Sequence, residues 1–259
     1  MKAGFVWYEL MVNGDLDAAA KFYGDVVGWD VKDSGMLGMK YLLFGKDGKE
    51  VGGMMSWNSI NMNLPTAWKG HIYTPNVDEE TKAVVQDGGK EFRPPQDIPN
   101  VGRFSVVGDP QGAEYLLFQP NSSGKMPERL AHNAPGSVGW HELYTTDAES
   151  AWEFYSKHYG WTKENAMDMG PMGVYQTYFM DKEYAEGGMM NIPPSQPEAR
   201  PVWNFYFAVE DVDATAEKIA AAGGKVLHGP MDVPGESRVL LALDPFGGSF
   251  ALVSNKSNK

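Results

Sequence analysis

The sequence predicts an α+β chain built from four successive β-α-β-β-β modules, in which the second pair of modules repeats the first. Three observations lead there. Motifs recur: Trp7-Tyr8-Glu9-Leu10, Phe22-Tyr23 and Gly28-Trp29 return as Trp140-His141-Glu142-Leu143, Phe154-Tyr155 and Gly160-Trp161. Gly52-Gly53-Met54-Met55 returns as Gly187-Gly188-Met189-Met190, and Asp109-Pro110-Gln111-Gly112 as Asp244-Pro245-Phe246-Gly247. The offset stays at roughly 133 residues, far beyond the periods of stacked solenoids, so a whole domain has been duplicated. Apolar periodicity switches between strand-like and helix-like within each copy. Gly, Pro and Asp clusters punctuate the segments.

Taken in order, residues 5–12 read as a strand. Asp15 then serves as an N-cap, and Leu16, Ala19, Phe22, Tyr23 and Val26 recur at helical spacing before Gly28, a left-handed helix stop. Strands follow near residues 29–32, 39–44 and 51–57, with Lys46-Asp47-Gly48 as a hairpin turn. The order repeats: a strand at 71–74, a helix at 77–86, and strands near 90–92, 102–107 and 114–119. In the second copy, Asp147 caps a helix carrying Ala148, Ala151, Trp152, Tyr155 and Tyr159, and Gly160 ends it. Later segments match residues 203–209, 212–222, 225–227, 237–243 and 250–253. In the Asp-Pro-x-Gly turns, Pro presets the backbone and Gly closes it. Domains are therefore expected at 1–120 and 137–259, with a polar, Pro- and Gly-containing linker at 121–136.

Composition narrows the function. A chain of 259 residues, 42% hydrophobic and 22% charged, has room for two cores. A formal charge of -12 argues against nucleic acid and against anionic membrane surfaces. No run is long and apolar enough to span a bilayer, and residues 1–12 lack a secretory leader pattern, so a cytoplasmic location is expected. The absence of Cys removes thiol nucleophiles, disulfides and Cys-based metal sites. The 8 Trp and 15 Met suit apolar pockets as well as cores. No Gly-x-Ser-x-Gly or phosphate-cradling Gly-rich loop is present. A small molecule is the expected partner, bound by a monomer or a homodimer.

The module order, the Phe-Tyr and Gly-Trp motifs and the Asp-Pro-x-Gly turns resemble the vicinal oxygen chelate superfamily. That group holds the glyoxalases, bleomycin-resistance proteins and extradiol dioxygenases. The resemblance implies two tandem glyoxalase-like domains, each a curved mixed-sheet cup with helices outside, and one divalent metal per cup. Carried onto this sequence, its ligand columns fall on Trp7 and Trp140, Met54 and Met189, Lys69 and Asn204, and Leu116 and Ala251. None is imidazole or carboxylate, so no metal or other cofactor is expected. A fallback site would use Glu9, His71 and Glu114.

Strand alternation turns Leu10 and Leu143 toward the helices, and turns Trp7, Glu9 and Met11, with Trp140, Glu142 and Tyr144, the other way. A Glu on such a face is costly unless it is paired. Glu9 and Glu142 are therefore candidate catalytic bases or ligand anchors. The alternative is a structural Glu bonded to backbone or to Arg103 or Arg238. Trp7, Met54, Trp68, Trp140, Met189 and Trp203 are the candidate ligand-binding residues. The Gly-Gly pairs suggest a strand bend or a close approach. His141 reads as a packed residue rather than a metal ligand. The reading favoured is a metal-free protein that binds a small apolar or aromatic molecule. The alternatives are a metal-dependent lyase, isomerase or dioxygenase of the glyoxalase type, and a structural or interaction protein whose cups are filled by side chains.

Overall fold

The structure, a computed structural model, describes residues 3–121, 128–181 and 184–256. Most of the expected linker at 121–136 lies within them, but residues 122–127 fall outside.

Four modules appear in the expected order. The first comprises β1 (Phe5–Val12), α1 (Leu16–Val27), β2 (Asp30–Asp33), β3 (Tyr41–Lys46) and β4 (Lys49–Ser56). The second comprises β5 (Ala67–Tyr73), α2 (Val77–Gln86), β6 (Lys90–Ile98), β7 (Gly102–Gly108) and β8 (Glu114–Pro120). The third has β9 (Val138–Thr145), α3 (Ala148–Tyr159), β10 (Thr162–Asp168), β11 (Val174–Phe179) and β12 (Gly187–Asn191). The fourth has β13 (Val202–Ala208), α4 (Val212–Ala221), β14 (Lys225–Val233), β15 (Ser237–Leu243) and β16 (Ser249–Asn255).

Local chemistry sets the boundaries. Asp15 accepts from the amides of Asp17 and Ala18, and Asp147 from that of Ser150, so both helices begin on capped donors. Gly28 (φ 82°) and Gly160 (φ 69°) end them in the left-handed region, where a side chain would be strained. The β3–β4 hairpin turns on Asp47 and Gly48, both at positive φ, which matches the right-handed strand twist. Strands β6 and β14 run further than the sequence suggests. Pro94, Pro95 and Pro230 halt a strand reading, yet both strands are sheet edges with register shifts, where a missing donor is tolerated. Trp152, placed in the buried stripe of its helix, is instead half-exposed.

The strands form two eight-stranded mixed sheets, ordered β2-β3-β4-β1-β5-β8-β7-β6 and β10-β11-β12-β9-β13-β16-β15-β14. Parallel pairing joins β1 to β4, β5 to β8, β9 to β12 and β13 to β16. The fold class is α+β. No helix among the described residues is long and apolar enough to cross a membrane.

The chain forms two compact units. One takes Met1–Val6, Lys69–Met126 and His141–Trp203, which are modules two and three. The other takes Trp7–Trp68, Pro127–Trp140 and Asn204–Lys259, which are modules one and four. The repeated motifs build the core of each. In the first unit, Trp203 Nε1 donates to Tyr155 Oη (3.0 Å), and that hydroxyl donates to Asp109 Oδ2 (3.1 Å). Asp109 Oδ1 accepts from the amides of Gly112 (2.7 Å) and Ala113 (2.8 Å), closing the Asp-Pro-x-Gly turn. Trp161 stacks on Tyr155 and on Tyr178. The second unit repeats the chain: Trp68 Nε1 donates to Tyr23 Oη (3.0 Å), which donates to Asp244 Oδ2 (2.9 Å). The Phe-Tyr helix motif and the Asp-Pro-x-Gly turn are thus two ends of one hydrogen-bonded core link.

Candidate functional site

Register decides which side chains share the face turned away from the helices. In module one, Glu9 pairs with Gly53 and Met11 with Met55, while Gly53 pairs with Leu43 and Met55 with Tyr41. Trp7, Glu9, Met11, Tyr41, Leu43 and Met55 therefore lie on one face. In module three, Glu142 pairs with Gly188 and Tyr144 with Met190, and Gly188 pairs with Thr177. Glu142, Tyr144, Tyr175 and Met190 form the matching set.

A carboxylate beside a tyrosine is the centre of both. Tyr175 Oη donates to Glu142 Oε1 at 2.9 Å, and Tyr144 lies beside the same carboxylate, which is 5% exposed. In module one, Trp7 Nε1 donates to Tyr41 Oη at 3.0 Å, and the Glu9 carboxylate is near enough to act on the Tyr41 phenol. Burial first, and then the neighbouring carboxylate, raises Tyr41 and Tyr144 above the ordinary phenol range. These hydroxyls stay protonated. The glycine pairs make room for them. A Cβ at Gly53 would collide with the Tyr41 ring and hydroxyl, and one at Gly188 with the Tyr175 ring. Gly52 and Gly187 meet Phe44 and Tyr178 on the opposite face. Close approach by tyrosines crossing β4 and β12 explains the Gly-Gly pairs without a strand bend.

Module two has a different wall. His71 pairs with Leu116 and Tyr73 with Phe118, so Lys69, His71, Leu116 and Phe118 share its helix-free face. The Lys69 ammonium forms an ion pair with the Glu114 carboxylate. His71 is buried, with the Phe118 ring edge-on to it at 6.2 Å. Module four is apolar. Tyr206, Ala208, Val239, Ala251 and Val253 form a buried cluster, and Trp140, Val233 and Leu241 pack against it.

The sequence-predicted residues divide accordingly. Trp7, Glu9, Trp140 and Glu142 lie on helix-free faces. Trp68 and Trp203 do not: each is next to a residue of those faces, Lys69 or Asn204, so its indole points into the helix-side core and bonds Tyr23 or Tyr155. Met54 and Met189 are likewise on the core side, fully enclosed and paired with Leu10 and Leu143. Their neighbours Met55 and Met190 take the other face. Arg103 is engaged by Asp78 and Asp97, and Arg238 by Asp213 and Asp232, so neither serves the Glu residues as partner. His141 stacks on Phe5 at 4.9 Å and its Nδ1 lies 2.8 Å from the Glu186 carbonyl, so it is a packed residue. Tyr41 and Tyr175 escaped sequence reasoning. Their matching places ahead of the two Gly-Gly pairs were the available signal.

The chain belongs to the glyoxalase/bleomycin resistance protein/dioxygenase superfamily, whose sequence profile matches residues 4–115 and 135–252. It is 32% identical to the protein named "Putative glyoxylase CFP32" of Mycobacterium tuberculosis, with 95% of this chain and 93% of that protein covered. It is 31% identical to the anthracycline biosynthesis protein DauV of a Streptomyces species, covering 95% and 91%. The crystal structure of a Mn(II)-bound glyoxalase from Novosphingobium aromaticivorans shares the fold, with a TM-score of 0.65, 15% identity and coverage of 99% and 82%.

The family implies a divalent metal, and the residues present do not suit one. Among the described residues, no three His, Asp or Glu side chains come together as a metal site requires. Glu114 is instead ion-paired with Lys69. With the register corrected, the expected ligand columns carry indole (Trp7, Trp140), thioether (Met55, Met190), ammonium or amide (Lys69, Asn204) and aliphatic groups (Leu116, Ala251). Hard divalent ions want carboxylate and imidazole in these places.

Proposed function

We propose that this protein binds a flat, apolar small molecule bearing a hydroxyl or comparable donor, without a metal ion. The glutamates of modules one and three, each beside a tyrosine, are its polar anchors. The observation that carries the reading is the duplicated Glu–Tyr pair, Glu9 with Tyr41 and Glu142 with Tyr175, set among Trp7, Met55, Tyr144 and Met190. A carboxylate accepts hydrogen bonds, so such a pair favours a ligand that brings its own O–H or N–H. Aromatic and thioether neighbours supply the apolar contact that ligand sites generally need. The name of the DauV relative, an anthracycline biosynthesis protein, supports a polycyclic aromatic class of ligand.

Titration with juglone, a hydroxylated naphthoquinone, tests this through quenching of Trp fluorescence. The chain has no Cys for the quinone to alkylate. Saturable quenching is expected, weakened roughly tenfold by Glu142→Gln or Glu9→Gln as a charge-assisted bond is replaced by a neutral one. Failure of any flat hydroxylated aromatic to bind would overturn the reading. The burial of the module-four cluster favours a second reading, in which side chains close these faces and the protein is structural. Under that reading neither titration nor native mass spectrometry detects a small molecule.

A further inference from the structure

The two copies share their core links but differ at one charged position. On module two, Lys69 and Glu114 form an ion pair across the parallel strands β5 and β8. Module four carries Asn204 and Ser249 at the matching places and folds without any charge there. The pair is therefore not a requirement of the module. The Lys69 side chain is only 19% exposed, on the same face as buried His71 and Leu116 and the Phe118 ring. Holding an ammonium among such neighbours costs desolvation, and a single half-exposed ion pair contributes little to stability in return. A fixed positive charge on an apolar, aromatic wall has a better use in recognising an anion. The ammonium has three donors, of which the recorded contact to Glu114 uses one.

From this, and resting on the small-molecule reading above, we propose that Lys69 is an anion-recognising residue: its ammonium supplies the positive charge that selects flat aromatic ligands carrying an acidic oxygen. Glu114 holds Lys69 in position and competes with the ligand for it. The second copy, with Asn204 and Ser249, selects neutral ligands, so the duplicated halves have diverged in the charge they accept.

Two fluorescent probes of similar aromatic size separate the claims: anilinonaphthalene sulfonate, an anion, and N-phenylnaphthylamine, its neutral counterpart. The wild-type chain is expected to bind both. Lys69→Met should weaken the sulfonate by roughly tenfold or more while leaving the neutral probe unchanged, the loss of one charge-assisted bond. Glu114→Gln should tighten the sulfonate several-fold, a gain that misfolding cannot produce. If both variants bind the sulfonate as the wild type does while the neutral probe still binds, the anion role is wrong and the small-molecule reading stands. If neither probe binds the wild type, the small-molecule reading fails and this inference with it.

Discussion

Replacing Tyr155 by Phe removes one oxygen atom from the core link of modules two and three and leaves the ring in place. The hydroxyl accepts from Trp203 Nε1 at 3.0 Å and donates to Asp109 Oδ2 at 3.1 Å. Trp203 is 3% exposed and Asp109 is 2% exposed, so water does not substitute for the lost partner. Each of the two buried polar groups left unsatisfied costs about 1–3 kcal/mol, which puts the variant about 2–6 kcal/mol below wild type. No cavity term adds to this, because the aromatic ring still fills its place against Trp161. The same change at Tyr23 orphans Trp68 and Asp244 in the other unit and should cost a comparable amount. Urea denaturation followed by Trp fluorescence measures both losses. A loss below about 0.5 kcal/mol at both positions would refute the reasoning, since it would mean the buried partners find other bonds.

Asp109 and Asp244 give a pH dependence of defined sign. Burial, which outweighs their hydrogen bonds, raises both carboxyls above the ordinary value of 3.8. The folded state therefore holds these protons more tightly than the unfolded chain. Their contribution to stability is full below the unfolded pKa and is lost as pH rises through the raised folded pKa. Asp109→Asn should flatten part of this decline in urea midpoints measured from about pH 4 upward; an unchanged pH profile would contradict it. Gly188→Ala should displace Tyr175 from Glu142, cost about 1–3 kcal/mol by overpacking and weaken juglone binding, whereas Gly160→Ala should cost about 1 kcal/mol and leave binding intact.

Much of the fold was legible because local chemistry and the repeat agree. Asp15, Asp147, Gly28 and Gly160 mark helix ends by capping and left-handed backbone, and the duplicated motifs locate every module. Strand alternation placed Trp7, Glu9, Trp140 and Glu142 on helix-free faces. Legibility ended where a face depends on register between strands distant in sequence. The sequence alone points to Met54 rather than Met55 for the outer wall, because a Gly-Gly pair offers no side chain from which to read alternation. Trp68 and Trp203 are apolar and aromatic enough to suit a ligand wall, yet Lys69 and Asn204, one residue on, occupy that face and the indoles bond Tyr23 and Tyr155 in the core. Tyr41 and Tyr175 reach Glu9 and Glu142 across an intervening strand, a relation that only the sheet order β3-β4-β1 and its twin makes visible. The Asp109 and Asp244 turns carried an obvious backbone role, while their side-chain bonds to Tyr155 and Tyr23 join segments far apart in the chain.

The most direct test of the central claim is a juglone titration of one protein preparation with and without excess EDTA. Polar recognition by Glu9–Tyr41 and Glu142–Tyr175 in place of a metal predicts superimposable binding curves. Binding that vanishes with the chelator and returns on adding Mn(II) or Zn(II) would contradict it.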